Sequence, residues 1–212
     1  MKLFGYWRSS AAYRVRIALN LKNLECEHVS VHLVKDGGEQ HKADYKALNP
    51  NELVPTLVDG DVRLNQSMAI LDYLEAKYPD VNLLPQEIAD NARCRALALD
   101  IACDVHPLNN LRILQYLSGP LAASDEQKTQ WYHHWLHVGF TAFEQTLAET
   151  AGRYCYGDDI TWADICLVPQ VYNAERFNLD MSAYPKIVEI AERLRQLPAF
   201  AEAAPEAQAD AV

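Results

Sequence analysis

The sequence predicts a two-part protein, a small α/β domain around a mixed sheet followed by a domain made only of helices. Three observations carry this. Residues 1–33 read strand, helix, strand, the order of a βαβ unit. An Asp59-Gly60 turn separates two short apolar runs, the signature of a hairpin. Beyond residue 85 the apolar residues recur at helical spacing, and strand alternation stops.

Residues 2–7 (KLFGYW) read as a short buried strand that runs into Arg8-Ser9-Ser10 and a helix over 11–23, with Val15, Ala18, Leu19 and Leu21 near one face. Residues 27–33 (EHVSVHL) alternate polar and apolar, which predicts a second strand, parallel to the first across a right-handed crossover. The polar segment VKDGGEQ leads to a short helix ending at Asn49-Pro50. Strands at 55–59 and 62–64 flank the Asp-Gly turn, and an amphipathic helix over 66–78 stops before Pro79. The stretch 79–85 (PDVNLLP) has no period and a proline at each end, which predicts a linker and places the domains at 1–82 and 87–212. Helices are then expected over 88–117 with a kink at Pro107, over 125–149, 161–177 and 183–196, and briefly over 198–203. The last dozen residues, rich in alanine and acid, are expected to fray.

Composition narrows the function. The chain has 212 residues, 50% hydrophobic and 23% charged, with 8 Gly and 10 Pro, which excludes collagen-like and disordered classes. No apolar run is long enough to span a bilayer and no secretory leader is evident, so a cytoplasmic protein without membrane attachment is expected. Residues 1–85 carry 10 basic and 11 acidic side chains, and 86–212 carry 9 and 18. A net charge of −10 without a basic stripe argues against a nucleic-acid partner. An anionic substrate must then be drawn in by locally placed arginines. The five cysteines show no metal-type or redox-pair spacing and read as small buried hydrophobes.

Three local patterns point to a ligand, each with a structural alternative. Arg8-Ser9-Ser10 joins a strand to a helix start, where free N–H groups and the helix dipole suit a bound thiolate; a serine there also serves as an N-cap. Val54-Pro55, opening a strand, suits a cis peptide that offers backbone to a ligand peptide, although edge prolines occur without that duty. Gln66-Ser67 opens the next helix, where N–H groups suit a carboxylate or simply a cap. Two further patterns read as structural: Thr161-Trp162-Ala163-Asp164 as a capping box, and His133 with His137 as a helix face without a third metal ligand.

Taken together, RSSAAYRVRIAL, KALNPNELVPTL, NQSMAILDYLE and AGRYCYGDDITWADICLVPQVYNAERFNLD, in this order and spacing, resemble the zeta class of glutathione transferases over nearly the whole chain. The resemblance implies a thioredoxin-like N-terminal domain, a helical C-terminal domain, a two-fold homodimer and glutathione as cofactor. It implies that Ser9, Ser10 and the Ala11 backbone face the sulfur, that Val54 before Pro55 pairs with the tripeptide, and that Gln66 and Ser67 bind its γ-glutamyl carboxylate. Gln40, His106, Asn109, Asn110 and Arg112 would close the site. Arg176, with Arg8, would hold a small dicarboxylate substrate; the alternatives are a helix-terminal cation for Arg176 and a strand-end residue for Arg8. Two departures stand out: Ala11 replaces the class cysteine, and His106 and Arg112 stand where relatives often have Gln and Ser.

The reaction this implies is cis–trans isomerisation of maleylpyruvate to fumarylpyruvate in gentisate-type aromatic catabolism, by thiolate addition, bond rotation and elimination. Isomerisation of maleylacetoacetate and general glutathione conjugation are the alternatives, and a catalytically silent interaction module is the non-enzyme reading. Ser9, Val54-Pro55 and Gln66-Ser67 argue against the silent module. The cations Arg8, Arg112 and Arg176 argue for a dicarboxylate over an apolar electrophile.

Overall fold

Residues 1–211 are described by a computed structural model, and they divide into two compact units. The first comprises Met1–Asn82 together with the segment from Gln196 onward, and the second is Leu83–Arg195.

The first unit is built on a four-stranded sheet: β1 (Lys2–Gly5), β2 (Glu27–Ser30), β3 (Thr56–Asp59) and β4 (Val62–Asn65), in the order β2-β1-β3-β4. The β1–β2 pair is parallel, as a crossover through α1 (Ser10–Leu21) requires, while β3 runs antiparallel to both β1 and β4. Gly5 allows α1 to start close over the sheet, because a Cβ there would sit 3.2 Å from that of Ala12. Leu3 and Leu57 pair across the sheet, and the core continues through Val15, Ala18 and Leu19 of α1 and Ile70, Leu71 and Leu74 of α3 (Ser67–Lys77). Short turns and α2 (Ala43–Leu48) link β2 to β3.

The C-terminal segment departs from expectation twice. It packs within the first unit rather than with the helices of 87–212, and it is held rather than frayed. After α8 (Pro185–Arg195), α9 (Pro198–Ala201) lies against α1. Tyr13 Oη donates to Phe200 O, Asn20 to Ala199 O, and Arg16 Nε to Ala203 O at 2.9 Å. Farther on, Ser30 Oγ donates to Asp210 at 2.7 Å. Polar side chains on α1 and β2, invisible to hydropathy, tie down a polar tail. Burial pushes the Arg16 guanidinium down to about 10, opposed by Tyr13 and Asp210.

The second unit contains α4 (Ile88–Leu99), α5 (Leu111–Ser118), α6 (Asp125–Thr150), α7 (Trp162–Arg176) and α8 (Pro185–Arg195). Packed against both α4 and α8, α7 is buried along almost its whole length. The expected helix over 88–117 is interrupted. A π-helical stretch, Asp100–Val105, and a 3₁₀ turn, His106–Asn109, separate α4 from α5. Pro107 has no N–H to continue the ladder. Asn110 then restarts the helix, its side chain accepting from Arg112 N at 3.2 Å. Gly139 of α6 accommodates the π stretch, since a Cβ there would collide with Val105. Leu83 and Leu84, within the expected linker, are buried in this unit, and Leu83 O accepts from Trp162 N.

Candidate active site

The sheet register explains how the first unit assembles its candidate ligand groups. Phe4 pairs with Thr56, Thr56 with Asn65, and Gly5 with Ser30. The loop after β1, the loop before β3, the turn after β4 and the segment after β2 therefore leave the sheet at one common edge. Those four segments contain Arg8, Ser9, Ser10 and Ala11; Val54 and Pro55; Gln66 and Ser67; and Gln40.

Ser9 is the N-cap of α1, with its Oγ accepting from Ala12 N at 3.2 Å and its carbonyl accepting from Tyr13 N. Capping uses the oxygen as an acceptor and leaves the hydroxyl hydrogen for a ligand. The cap is present, and it is compatible with the ligand reading. Ser10 is buried at 5% exposure, whereas Ser9 is half-buried, so Ser9 is the better placed donor. The adjacent Arg8 is not a plain surface residue: its guanidinium lies 4.2 Å from the Trp7 ring centroid and its Nε is buried.

The Val54–Pro55 peptide is cis. Around it, buried Asn49 donates to Leu53 O at 2.7 Å and accepts from Asn51 N and Asn65 Nδ2. Tyr45 Oη donates to the same Leu53 carbonyl. The flanks are thus fixed, while among the described residues the Val54 N–H and C=O take no partner, which suits pairing with an extended peptide.

Gln66 adopts φ 69°, a left-handed conformation uncommon outside glycine, immediately before α3. It offers no side-chain cap, and the first turn of α3 carries no acidic residue. The positive end of that helix dipole is left for an external anion. Ser67, at the first helical position, accepts from Arg14 Nη1 at 3.3 Å, and Arg14 is 1% exposed. The sequence reading missed Arg14. Its only signal was a cation inside an apolar helix, and the contact that gives it meaning spans 53 residues.

Gln40 is 5% exposed, donates through Nε2 to Leu33 O and has a buried Oε1 without a partner in the protein. Gly38, at φ 102°, is required here, because a Cβ would press onto the Gln40 amide at 2.5 Å.

In the second unit, His106 is half-buried at the start of the 3₁₀ turn. Asn109 is 6% exposed with neither amide atom partnered, an open hydrogen-bonding group held by the fold. Asn110 caps α5, and Arg112 is exposed on its first turn. Arg176 is exposed on the last turn of α7, with its guanidinium 4.7 Å from the Phe177 centroid. Burial pushes the Tyr132 phenol up, and Arg176 opposes that shift.

The remaining patterns have structural partners. His133 Nε2 contacts Phe177 O and His137 Nδ1 contacts Tyr184 Oη, both at 2.7 Å. Asp164, fully buried, accepts from Thr161 N, Thr161 Oγ1 and Cys155 N; burial pushes its carboxyl up and these bonds oppose it. Cys94, Cys155 and Cys166 are buried as expected, but Cys103 is exposed, because the π stretch turns it out of the core, and Cys26 is half-buried. No helix among the described residues is long and apolar enough to cross a membrane.

The family model for the glutathione S-transferase N-terminal domain matches residues 3–82, and that for the C-terminal domain matches 113–203. A probable maleylacetoacetate isomerase of Vibrio cholerae is 59% identical over 209 residues, covering 99% of this chain and 97% of the relative. The holo structure of a maleylpyruvate isomerase, a bacterial zeta-class glutathione S-transferase, superposes with TM-score 0.97 at 45% identity over 100% of both chains. A maleylacetoacetate isomerase from Methylobacterium extorquens AM1, solved with malonate and glutathione, gives TM-score 0.95 at 42% identity, again over 100% of both. The chain belongs to the glutathione S-transferase family. Its class within the family is zeta, and it is an enzyme, a glutathione-dependent isomerase.

Proposed function

We propose that the enzyme converts maleylpyruvate to fumarylpyruvate, with glutathione bound along the common sheet edge of the first unit. Four features fit the tripeptide: a free Ser9 hydroxyl hydrogen, an unpaired Val54 backbone, an uncapped α3 start and an unpartnered Gln40 Oε1. When bound, glutathione supplies a thiolate that adds to the alkene carbon β to the ketone, frees that bond to rotate, and leaves with the trans double bond restored.

The chain's own residues divide the work. Ser9 O–H, Ala11 N–H and the α1 dipole hold negative charge at sulfur and keep the thiol ionised. Val54 orients the peptide through its N–H and C=O. Gln66, Ser67 and the first-turn N–H groups of α3 hold the γ-glutamyl carboxylate, with Arg14 fixing the Ser67 hydroxyl. Arg176 holds one substrate carboxylate, and Arg8 or Arg112 the other, in the bidentate mode that guanidinium favours. Gln40, His106, Asn109 and Asn110 complete the binding groups. A cytoplasmic homodimer is part of the same reading.

The observation that carries it is the Arg8–Ser9 pair, a cation and a spare hydroxyl on adjacent residues at a helix start. Maleylacetoacetate is the second reading, favoured by 59% identity to the Vibrio cholerae relative. An ultraviolet assay of each acid, with and without glutathione, decides between them. Isomerisation should require glutathione without consuming it, and free thiol titrated before and after turnover should be equal. Stoichiometric thiol loss would establish a conjugating transferase instead, and faster turnover of maleylacetoacetate would reverse the substrate assignment.

A further inference from the structure

We propose that His41 and Glu52 form a positioning pair that fixes which face of the Gln40 amide meets glutathione, making cofactor affinity depend on His41 protonation. The inference rests on the placement of Gln40 in the glutathione site.

The Leu33 carbonyl can only accept, so the Gln40 atom 3.3 Å from it is the donating Nε2. That same Nε2 lies 3.0 Å from His41 Nε2. Since Gln40 donates there too, His41 Nε2 must be the unprotonated ring nitrogen. Its Nδ1 then carries the hydrogen, which it donates to Glu52 Oε2 at 2.6 Å. Both amide hydrogens of Gln40 are thereby committed, and the buried Oε1 is what remains for a ligand. Gln40 in this arrangement accepts from an N–H of the tripeptide.

Protonation of His41 breaks the chain. An Nε2–H opposite an NH₂ group sets two donors face to face, and the amide has to turn. Turning presents Nε2 to the ligand in place of Oε1 and gives up the bond to Leu33 O. Glu52 is itself 3.2 Å from Lys46 of α2, the Glu39–Lys42 pair at 3.0 Å lies on the same turn as His41, and Lys35 of the preceding turn also acts on Glu39. Glu39 also accepts from the backbone N–H of His32. The imidazole is half-exposed, so it exchanges protons with solvent and tolerates replacement.

The test is isothermal titration with S-methylglutathione, which has no titrating thiol, between pH 5.5 and 7.5. Wild-type Kd should weaken about 3- to 10-fold as pH falls, the worth of one hydrogen bond exchanged for a mismatch. His41→Asn should bind with a flat profile. A flat wild-type profile, or a His41→Asn profile parallel to wild type, overturns the inference. Gln40→Ala separates the two layers: unchanged affinity in that variant removes Gln40 from the glutathione site. Weakened affinity in Gln40→Ala beside a wild-type profile in His41→Asn removes only the role of His41.

Discussion

In the first unit Arg14 and Arg16 are 1% and 3% exposed and direct nitrogens at Ser67 Oγ, Trp7 O and Ala203 O, whereas Arg112 and Arg176 of the second unit stand exposed on the terminal turns of their helices. The buried pair is part of the architecture, since each guanidinium ties distant segments together and its loss leaves buried acceptors unmatched. The exposed pair makes few demands on the fold. Arg14, which fixes the Ser67 hydroxyl, is held by the packing that makes the domain, while Arg112 and Arg176 can change without unfolding anything.

The comparison breaks most easily at Asp164, a wholly buried carboxyl of the second unit. Asp164→Ala removes the acceptor for Thr161 N and Cys155 N, and should destabilise by about 2–5 kcal/mol. Denaturant unfolding measures it, and Arg112→Ala should leave the midpoint unchanged. If both variants unfold alike, the contrast between built-in and replaceable groups fails.

Arg176→Ala should fold normally and lower kcat/KM for maleylpyruvate by about 100-fold or more, because a substrate carboxylate loses its charged partner. Steady-state kinetics on both acids checks this, and an unaffected variant would remove Arg176 from the site.

Ser9→Ala should slow turnover about 10- to 150-fold and raise the pKa of the bound thiol, since a charge-assisted donor to the sulfur is lost. Thiolate absorbance titrated in the complex reads the shift. An unchanged curve would transfer the role to Ser10 or to backbone alone.

The smallest effect is expected at Ser67→Ala, which should raise the KM for glutathione about 3- to 10-fold at nearly constant kcat, because it alters binding of a remote carboxylate. A drop in kcat instead would place Ser67 in the chemical step.

Much of the candidate site was legible because it follows local rules. Ser9 and Ser67 sit at helix starts, and Pro55 precedes a strand, so their positions follow from the order of elements. Arg14 was not legible. A basic residue inside a helix reads as solvated until a segment 53 residues away is seen to meet it. The open amide of Asn109 was likewise hidden, because its burial depends on how the π stretch and 3₁₀ turn pack.

Sequence by itself determined the order of strands and helices, the parallel crossover, the hairpin and the two helix starts that suit anions, since periodicity, turn residues and caps are short-range properties of the chain. Tertiary structure alone decided where the C-terminal segment belongs, where the helix after residue 88 breaks, and which arginines are buried. Each of those outcomes turns on a contact between residues far apart in the chain, such as Arg16 with Ala203 or Gly139 against Val105, and no local pattern encodes the partner.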